Sequence, residues 1–137
     1  MATDEPLPDP VESLSETERE ALHEVELGLE WLQRTQGYLI EFHHAMGHGM
    51  DHLHQAESLL RECGRDELAD DLRDELLPRG VVDHDRWSYD VLESFQETVL
   101  AETERYERRV RRELAGGCRH VAERAQEREW KARARRR

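Results

Sequence analysis

The sequence predicts an all-α protein built on a long antiparallel helical hairpin with a short connecting helix. No proline occurs from Ser13 to Gly64, so this stretch can form one extended helix. Apolar residues recur at every seventh position within it, a spacing that keeps side chains on one helix face: Leu32, Leu39, Met46, Leu53 and Leu60. No segment shows the alternating pattern of a β-strand. So few helices bury little apolar surface, and we expect two copies to form a four-helix bundle as a homodimer.

The chain has 137 residues, a length typical of one domain, of which 36% are hydrophobic and 38% are charged. Apolar residues are therefore scarce and have to be concentrated on narrow helix faces. We divide the chain into a disordered acidic lead-in at 1–12, a helical bundle domain at 13–117 and a basic C-terminal helix or tail at 118–137.

The chain carries a net charge of −12, and Lys131 is the only lysine among its 20 basic residues. An acid excess with almost no lysine is typical of proteins from a salt-rich cytoplasm. There a Debye length of about 3 Å or less screens the repulsion between acidic side chains. We interpret the acidic surface as an adaptation to salt and not as a docking surface for cationic partners.

Local signals predict where the first long helix begins and ends. Ser13 and Ser15 are each followed three residues later by a glutamate, as in a capping box, so the helix should begin at one of them. Gly64 should end it. Three glycines are candidate break points, but the apolar spacing continues through all of them and favours an unbroken helix: Gly37, Gly47 and Gly49.

Beyond Gly64, a short helix is expected at 67–77, followed by a loop at 81–87. Ser88 should cap the second long helix, along which apolar residues repeat at helical spacing: Leu92, Phe95, Val99, Tyr106, Val110 and Leu114. Two glycines at 116–117 should interrupt this helix before a last amphipathic one. Where the two long helices pack, the first should contribute the most buried residues, Leu39, Phe42, Met46, Met50 and Leu53, against Phe95, Val99 and Tyr106 of the second.

Five of the eight histidines lie between positions 42 and 54. Three of them fall on one side of the helix, roughly opposite the leucines: His44, His48 and His52. Histidines four residues apart can bind one transition-metal ion, because their ring nitrogens converge one turn apart. The run therefore has two interpretations: a zinc or nickel site with an added oxygen ligand from Glu41 or Asp51, or a solvated helix face without a ligand.

Three other patterns indicate a binding or catalytic site less strongly than the histidine run does. Glu41 and His44 match the Glu-x-x-His motif of ferritin-like di-iron bundles, but no second copy of the motif occurs. The loop triplet at 83–85, Asp-His-Asp, can in principle hold a cation, although such residues usually form turns. The arginine-rich stretch at 133–137 suits phosphate contact, but salt and the acidity of the remaining chain oppose nucleic-acid binding. No nucleophile motif or phosphate-binding glycine loop occurs, so nothing indicates an enzyme.

The first ten residues hold three acidic residues and no basic one, which differs from a secretory signal. No apolar stretch approaches the roughly 18 residues that a membrane span needs. We therefore expect a cytoplasmic protein that makes no membrane contact. Cys63 and Cys118 are too few for a disulfide framework and should be free thiols.

Four segments between Glu18 and Arg135 carry a family resemblance: 42–54, 76–82, 86–92 and 127–131. With these segments the chain resembles conserved small helical proteins of unknown function from haloarchaea. The resemblance implies a halophilic source and lends no activity, cofactor or catalytic residue. The sequence thus favours a non-enzymatic helical interaction or scaffold protein, with a metal-binding bundle that uses the histidine face as the alternative. It indicates no particular protein partner.

Overall fold

The structure, a computed structural model, describes residues 8–83 and 85–136. Every regular element in these ranges is helical, and the only β-type pairing there is an isolated bridge between Val82 and Arg86. The prediction of an all-α protein is confirmed. None of the helices in these ranges has an apolar stretch long enough to cross a bilayer.

The helices in chain order are α1 (Pro10–Ser13), α2 (Glu16–Glu62), α3 (Asp66–Asp71), α4 (Ser88–Phe95), α5 (Ala101–Ala115) and α6 (Val121–Arg133). Two π-helical turns continue α3 and α4, at Leu72–Leu76 and Gln96–Leu100. The chain divides into two compact units. Unit 1 comprises the described residues up to Leu32 and those from Ala101 onward, and unit 2 is Gln33–Leu100.

A capping box starts α2, as one of the two predicted boundaries required. The Ser15 hydroxyl accepts a hydrogen bond from the Glu18 N–H at 3.1 Å, and the Glu18 carboxylate accepts one from the Ser15 N–H at 2.9 Å. The helix then continues without a break to Glu62, as predicted. It ends before Gly64, whose φ of +81° is a left-handed conformation that glycine adopts without steric cost.

Unit 1 contains an apolar core formed by α1, α2, α5 and α6. Leu22 and Val121 are each only 1% exposed and lie in one cluster with Val11 and Ala115. Burial of Val11 shows that ordered structure begins before the predicted bundle boundary at residue 13, whereas residues 1–7 of the predicted lead-in lie outside the described residues. The C-terminal segment forms a helix, α6, which is one of the two forms predicted for it.

Ionic contacts join α1 to α6 within unit 1. The Arg128 guanidinium donates a hydrogen bond to the Asp9 carboxylate at 2.7 Å and lies 3.4 Å from the carboxylate of Glu12. The Asp9 carboxylate also accepts the Val11 N–H at 3.1 Å and so caps α1. The hydrogen bond from Arg128 is the main reason that the pKa of Asp9 lies below its usual value. The contacts therefore tie the start of the described chain to its last helix.

The buried face of α5 differs from the prediction. Val99 is 42% exposed and Tyr106 is 55% exposed, so neither is among the most buried residues of the second half of the chain. The buried residues each lie one position after a residue of the predicted apolar repeat: Leu100, Glu107, Arg111 and Ala115. The physical reason is the π-helical turn Gln96–Leu100, which adds a residue to the turn and rotates all following side chains about the helix axis.

In unit 2, polar contacts connect α2 with the later helices. The His43 Nδ1 lies 2.6 Å from the Ser88 hydroxyl. The side-chain amide of Gln96 donates a hydrogen bond to the side-chain oxygen of Gln36 at 3.0 Å. Arg61 of α2 donates to the Asp70 carboxylate at 2.9 Å and thereby holds α3.

The α2 residues predicted to be most buried are all only half-buried: Leu39, Phe42, Met46, Met50 and Leu53. This expectation was wrong, because the later helices of unit 2 cover their helix face only in part. The buried residues among the described part of unit 2 are instead Ala69, Ser88 and Leu100.

We predict that Leu22→Ala lowers the free energy of unfolding by about 2 to 5 kcal/mol, because it opens a cavity in the unit 1 core. Leu68→Ala is the matched control, since Leu68 is also a leucine within a helix and is 54% exposed. It should change stability by less than about 0.5 kcal/mol. Denaturant unfolding followed by circular dichroism measures both. Equal destabilisation by the two substitutions would contradict the location of the core.

Candidate metal centre

Three side chains of unit 1 converge in an arrangement that suits a metal ion. One ligand atom each from His23, Glu26 and Glu123 lies within 4.8 Å of the other two. The His23 Nδ1 is 3.5 Å from the Glu123 Oε1. Among residues 8–83 and 85–136, this group, here called the His23 cluster, is the one set of three or more histidine, cysteine or carboxylate side chains with that spacing.

Helix geometry and core packing bring the cluster together. His23 and Glu26 are three residues apart on α2, so their side chains lie one above the other on one face. Glu123 lies in the first turn of α6. The two most buried side chains of the core, Leu22 and Val121, are adjacent or nearly adjacent in sequence to His23 and Glu123. Core packing therefore fixes the position of α6 next to α2 where the ligands meet.

Two atoms of the cluster are buried without a hydrogen-bond partner, the His23 Nδ1 and the Glu26 Oε1. A buried polar atom that lacks a partner costs about 1 to 3 kcal/mol, so native proteins rarely leave one unsatisfied. A cation between the three side chains would give both atoms a partner. These two buried atoms without hydrogen-bond partners distinguish the cluster from an ordinary group of surface carboxylates.

The electrostatic environment of Glu26 points in the same direction. Burial raises the pKa of the Glu26 carboxyl above its usual value, and the charges of Glu123 and Glu107 raise it further. His120 and His23 act in the opposite sense and lower it. Glu26 is thus a partly buried carboxylate near two others, and these repel it unless a proton or a cation intervenes.

A buried ion pair of α5 adjoins this region. The Arg111 Nε lies 3.3 Å from the Glu107 Oε1, and both side chains are only 9% exposed. The Nε makes no contact with hydrogen-bond geometry, so the two charges are held together mainly by electrostatic attraction. Arg111 thereby compensates the charge of Glu107, which leaves Glu26 and Glu123 as the carboxylates available to a cation.

The donor set indicates which ions the cluster can bind. One imidazole nitrogen and two carboxylate oxygens suit divalent transition metals such as zinc, manganese, iron and cobalt. Calcium and magnesium prefer oxygen ligands alone, so the histidine disfavours them. Three protein ligands also leave at least one coordination position for water or another small ligand.

Two cavities border members of the His23 cluster. The smaller, of about 160 Å³, is lined by His23, Ala122, Glu123 and Gln126. The larger, of about 510 Å³, also borders His23 and extends along α2 and α6, lined further by Glu16, Arg19, Glu20, Ala122, Ala125, Gln126 and Glu129. The His23 and Glu123 side chains can therefore be reached from solvent without unfolding of the helices.

The histidines predicted as metal ligands all lie on the exposed surface of α2 in unit 2: His44, His48 and His52. They do not converge with a third ligand among the described residues. The His44 ring contacts the His43 ring at a centroid distance of 5.7 Å. A two-histidine site on this face stays a prediction. In the loop at 83–85, Asp83 and Asp85 are exposed, and His84 lies outside the described residues.

The sequence contains part of the signal for the His23 cluster. His23 and Glu26 form a His-x-x-Glu pair, the reverse of the Glu-x-x-His order of Glu41 and His44. This pair is visible in the sequence alone. Glu123 carries no such signal, because its approach depends on how α6 packs against α2.

Cys63 and Cys118 are free thiols, as predicted. Comparison of the chain with protein-family models, curated proteins and solved structures found no match in any of the three.

We predict that Arg111→Met lowers the free energy of unfolding by about 3 to 5 kcal/mol, because it leaves the buried Glu107 carboxylate without its partner. Arg109→Met is the matched control, since Arg109 and Glu113 form an ion pair of the same spacing on the same helix with side chains 65% and 61% exposed. The control should lose less than about 0.5 kcal/mol. Urea unfolding measures both, and similar values for the two would contradict the burial of Glu107.

Proposed function

We propose that this protein binds a divalent transition-metal ion at His23, Glu26 and Glu123. The observation that carries the proposal is the convergence of three ligand atoms, two of which are buried without a hydrogen-bond partner. A bound ion would connect α2 to α6 in unit 1 and would stabilise that contact. The proposal keeps the metal-binding function considered from the sequence and assigns it to different residues.

We predict that untagged protein, purified without a nickel column, binds one zinc or manganese ion per chain in isothermal titration calorimetry. His23→Ala and Glu26→Gln should each weaken binding by at least about tenfold, a loss of about 1.4 kcal/mol. The matched controls are His48→Ala and Glu24→Gln, which change an exposed histidine and an exposed glutamate of the same helix. Both should bind as tightly as the unchanged chain. At a hundredfold excess over Kd, the ion should stabilise the protein by about 2.7 kcal/mol.

Two outcomes would contradict the assignment. Loss of binding in His48→Ala with retention in His23→Ala would place the ion on the exposed histidine face of α2. Absence of saturable binding by zinc, manganese, iron(II) and cobalt to the folded protein would remove the metal function altogether. Elemental analysis of the purified protein supplies an independent measurement of the ion it retains.

We further propose that the protein works in a salt-rich cytoplasm. The support is the net charge of −12 and the presence of one lysine among 20 basic residues. At low salt these carboxylates repel one another over a Debye length of about 8 Å or more, whereas molar salt reduces that length to about 3 Å.

We predict that the melting temperature rises as potassium chloride increases from physiological to molar concentration. The physical reason is the screening of repulsion between acidic side chains. Thermal unfolding by circular dichroism in both salts measures the shift. Sucrose at matched viscosity is the control for effects unrelated to charge. A melting temperature that does not change with salt would argue against a halophilic origin.

A second candidate function is that of a non-enzymatic interaction or scaffold protein, assembled as a homodimer. Contacts within unit 2 support an antiparallel hairpin, because α2 positions 36 and 43 contact positions 96 and 88 in reverse order. The exposed and half-buried apolar residues along α2 support completion of this hairpin by a second copy as a four-helix bundle. Such a role is compatible with the metal site, which would then be structural.

A further inference from the structure

Unit 2 buries few large apolar side chains of its own. Among its described residues, only Ala69, Ser88 and Leu100 are buried, and Leu100 is the one large apolar side chain of the three. A domain of this size normally depends on several fully buried apolar residues. Unit 2 therefore has apolar surface to spare for a partner.

The exposed side of α2 in unit 2 carries a second seven-residue repeat. Its members are all exposed and are here called the outer stripe: Tyr38, Ala45, His52 and Leu59. Tyr38 is 63% exposed and Leu59 is 54% exposed. The stripe runs beside the half-buried face of the same helix and adds two large exposed apolar side chains to it, Tyr38 and Leu59. A seven-residue repeat of this kind is the spacing at which two helices pack along their length.

The same part of α2 has unusually little charge. From Phe42 to Ala56, Asp51 is the only Asp, Glu, Lys or Arg, whereas 38% of the whole chain is charged. Depletion of charge at the centre of a surface is characteristic of protein interfaces. For a chain with a net charge of −12, this face is also where a second copy meets the least electrostatic repulsion.

We propose that the outer stripe binds the outer stripe of a second copy of this chain, with the two α2 helices antiparallel. The twofold axis would pass between His48 and Gly49, so that Tyr38 packs on Leu59 of the partner subunit and Ala45 packs on His52 of the partner subunit. An interface of this symmetry uses the same residues on both copies. It involves no residue of the His23 cluster, and it gives the second candidate function a defined surface.

Charge distinguishes the antiparallel from the parallel arrangement. In a parallel pair in register, every acidic residue near the interface faces its own copy, including Glu41 and Glu62. In the antiparallel pair, Glu41 lies opposite Ala56 of the partner subunit and Glu62 lies opposite Thr35 of the partner subunit. Like charges placed opposite each other are destabilising, so the antiparallel pair is favoured.

The first experiment is sedimentation velocity over a range of protein concentrations, in molar potassium chloride with EDTA present. The unchanged chain should pass from monomer to dimer. Leu59→Glu should weaken the dimer by at least about tenfold, because it places a carboxylate in the interface. The matched control is Leu68→Glu, since Leu68 belongs to unit 2 and is also 54% exposed. Equal weakening by both variants, or a monomer at every concentration, would overturn the proposal.

The second experiment tests the arrangement of the helices in a chain whose native cysteines are replaced, Cys63→Ser with Cys118→Ser. Ala45→Cys and His52→Cys variants are prepared separately, and each is oxidised alone and in an equimolar mixture. The mixture should form a disulfide-linked dimer, and neither variant alone should do so. Linkage of Ala45→Cys to itself would overturn the antiparallel arrangement. Because EDTA removes metal from both experiments, failure of the dimer leaves the metal-binding proposal untouched, and the converse also holds.

Discussion

The π-helical turn Gln96–Leu100 decides which side chains of the following helix are buried. A turn that contains one additional residue rotates everything after it by about 100° relative to a regular α-helix. In α5 the buried face therefore contains Glu107 and Arg111, whereas Tyr106 remains exposed. The result is an interior in unit 1 that combines an apolar cluster with an ion pair.

An ion pair in this position constrains the rest of unit 1. Charged groups lose hydration when they are buried, and only close partners compensate for that loss. Arg111 serves as the partner of Glu107, but Glu26 has no arginine of its own, and its pKa is raised accordingly. His23 and Glu123 complete the polar boundary of the same region. A divalent cation would compensate the remaining negative charge, which explains why the best ligand geometry of the described chain lies beside its most buried ion pair.

Local signals in the sequence were sufficient for much of the fold. The capping box at Ser15 and Glu18 depends on residues three positions apart, and the end of α5 depends on Gly116 and Gly117, both of which have positive φ. Such signals do not require knowledge of the tertiary structure. The π-helical turn has no comparable local signature, and its Gln96 side chain makes a hydrogen bond to Gln36, a residue distant in sequence. For that reason the helix was predicted correctly, whereas its buried face was not.

The candidate metal centre could also be predicted from the sequence only in part. The pair formed by His23 and Glu26 is visible in the sequence, but it is less conspicuous than five histidines within one run. Number of histidines is a weak criterion, since exposed imidazoles four residues apart supply only two ligands and compete with water for the ion. Desolvated ligand atoms without partners are a stronger criterion, because they gain a contact that water does not already provide. By that criterion the His23 cluster, with one histidine, is a better candidate metal site than the three histidines on the exposed face of α2. The exposed face is better suited to contact with another helix.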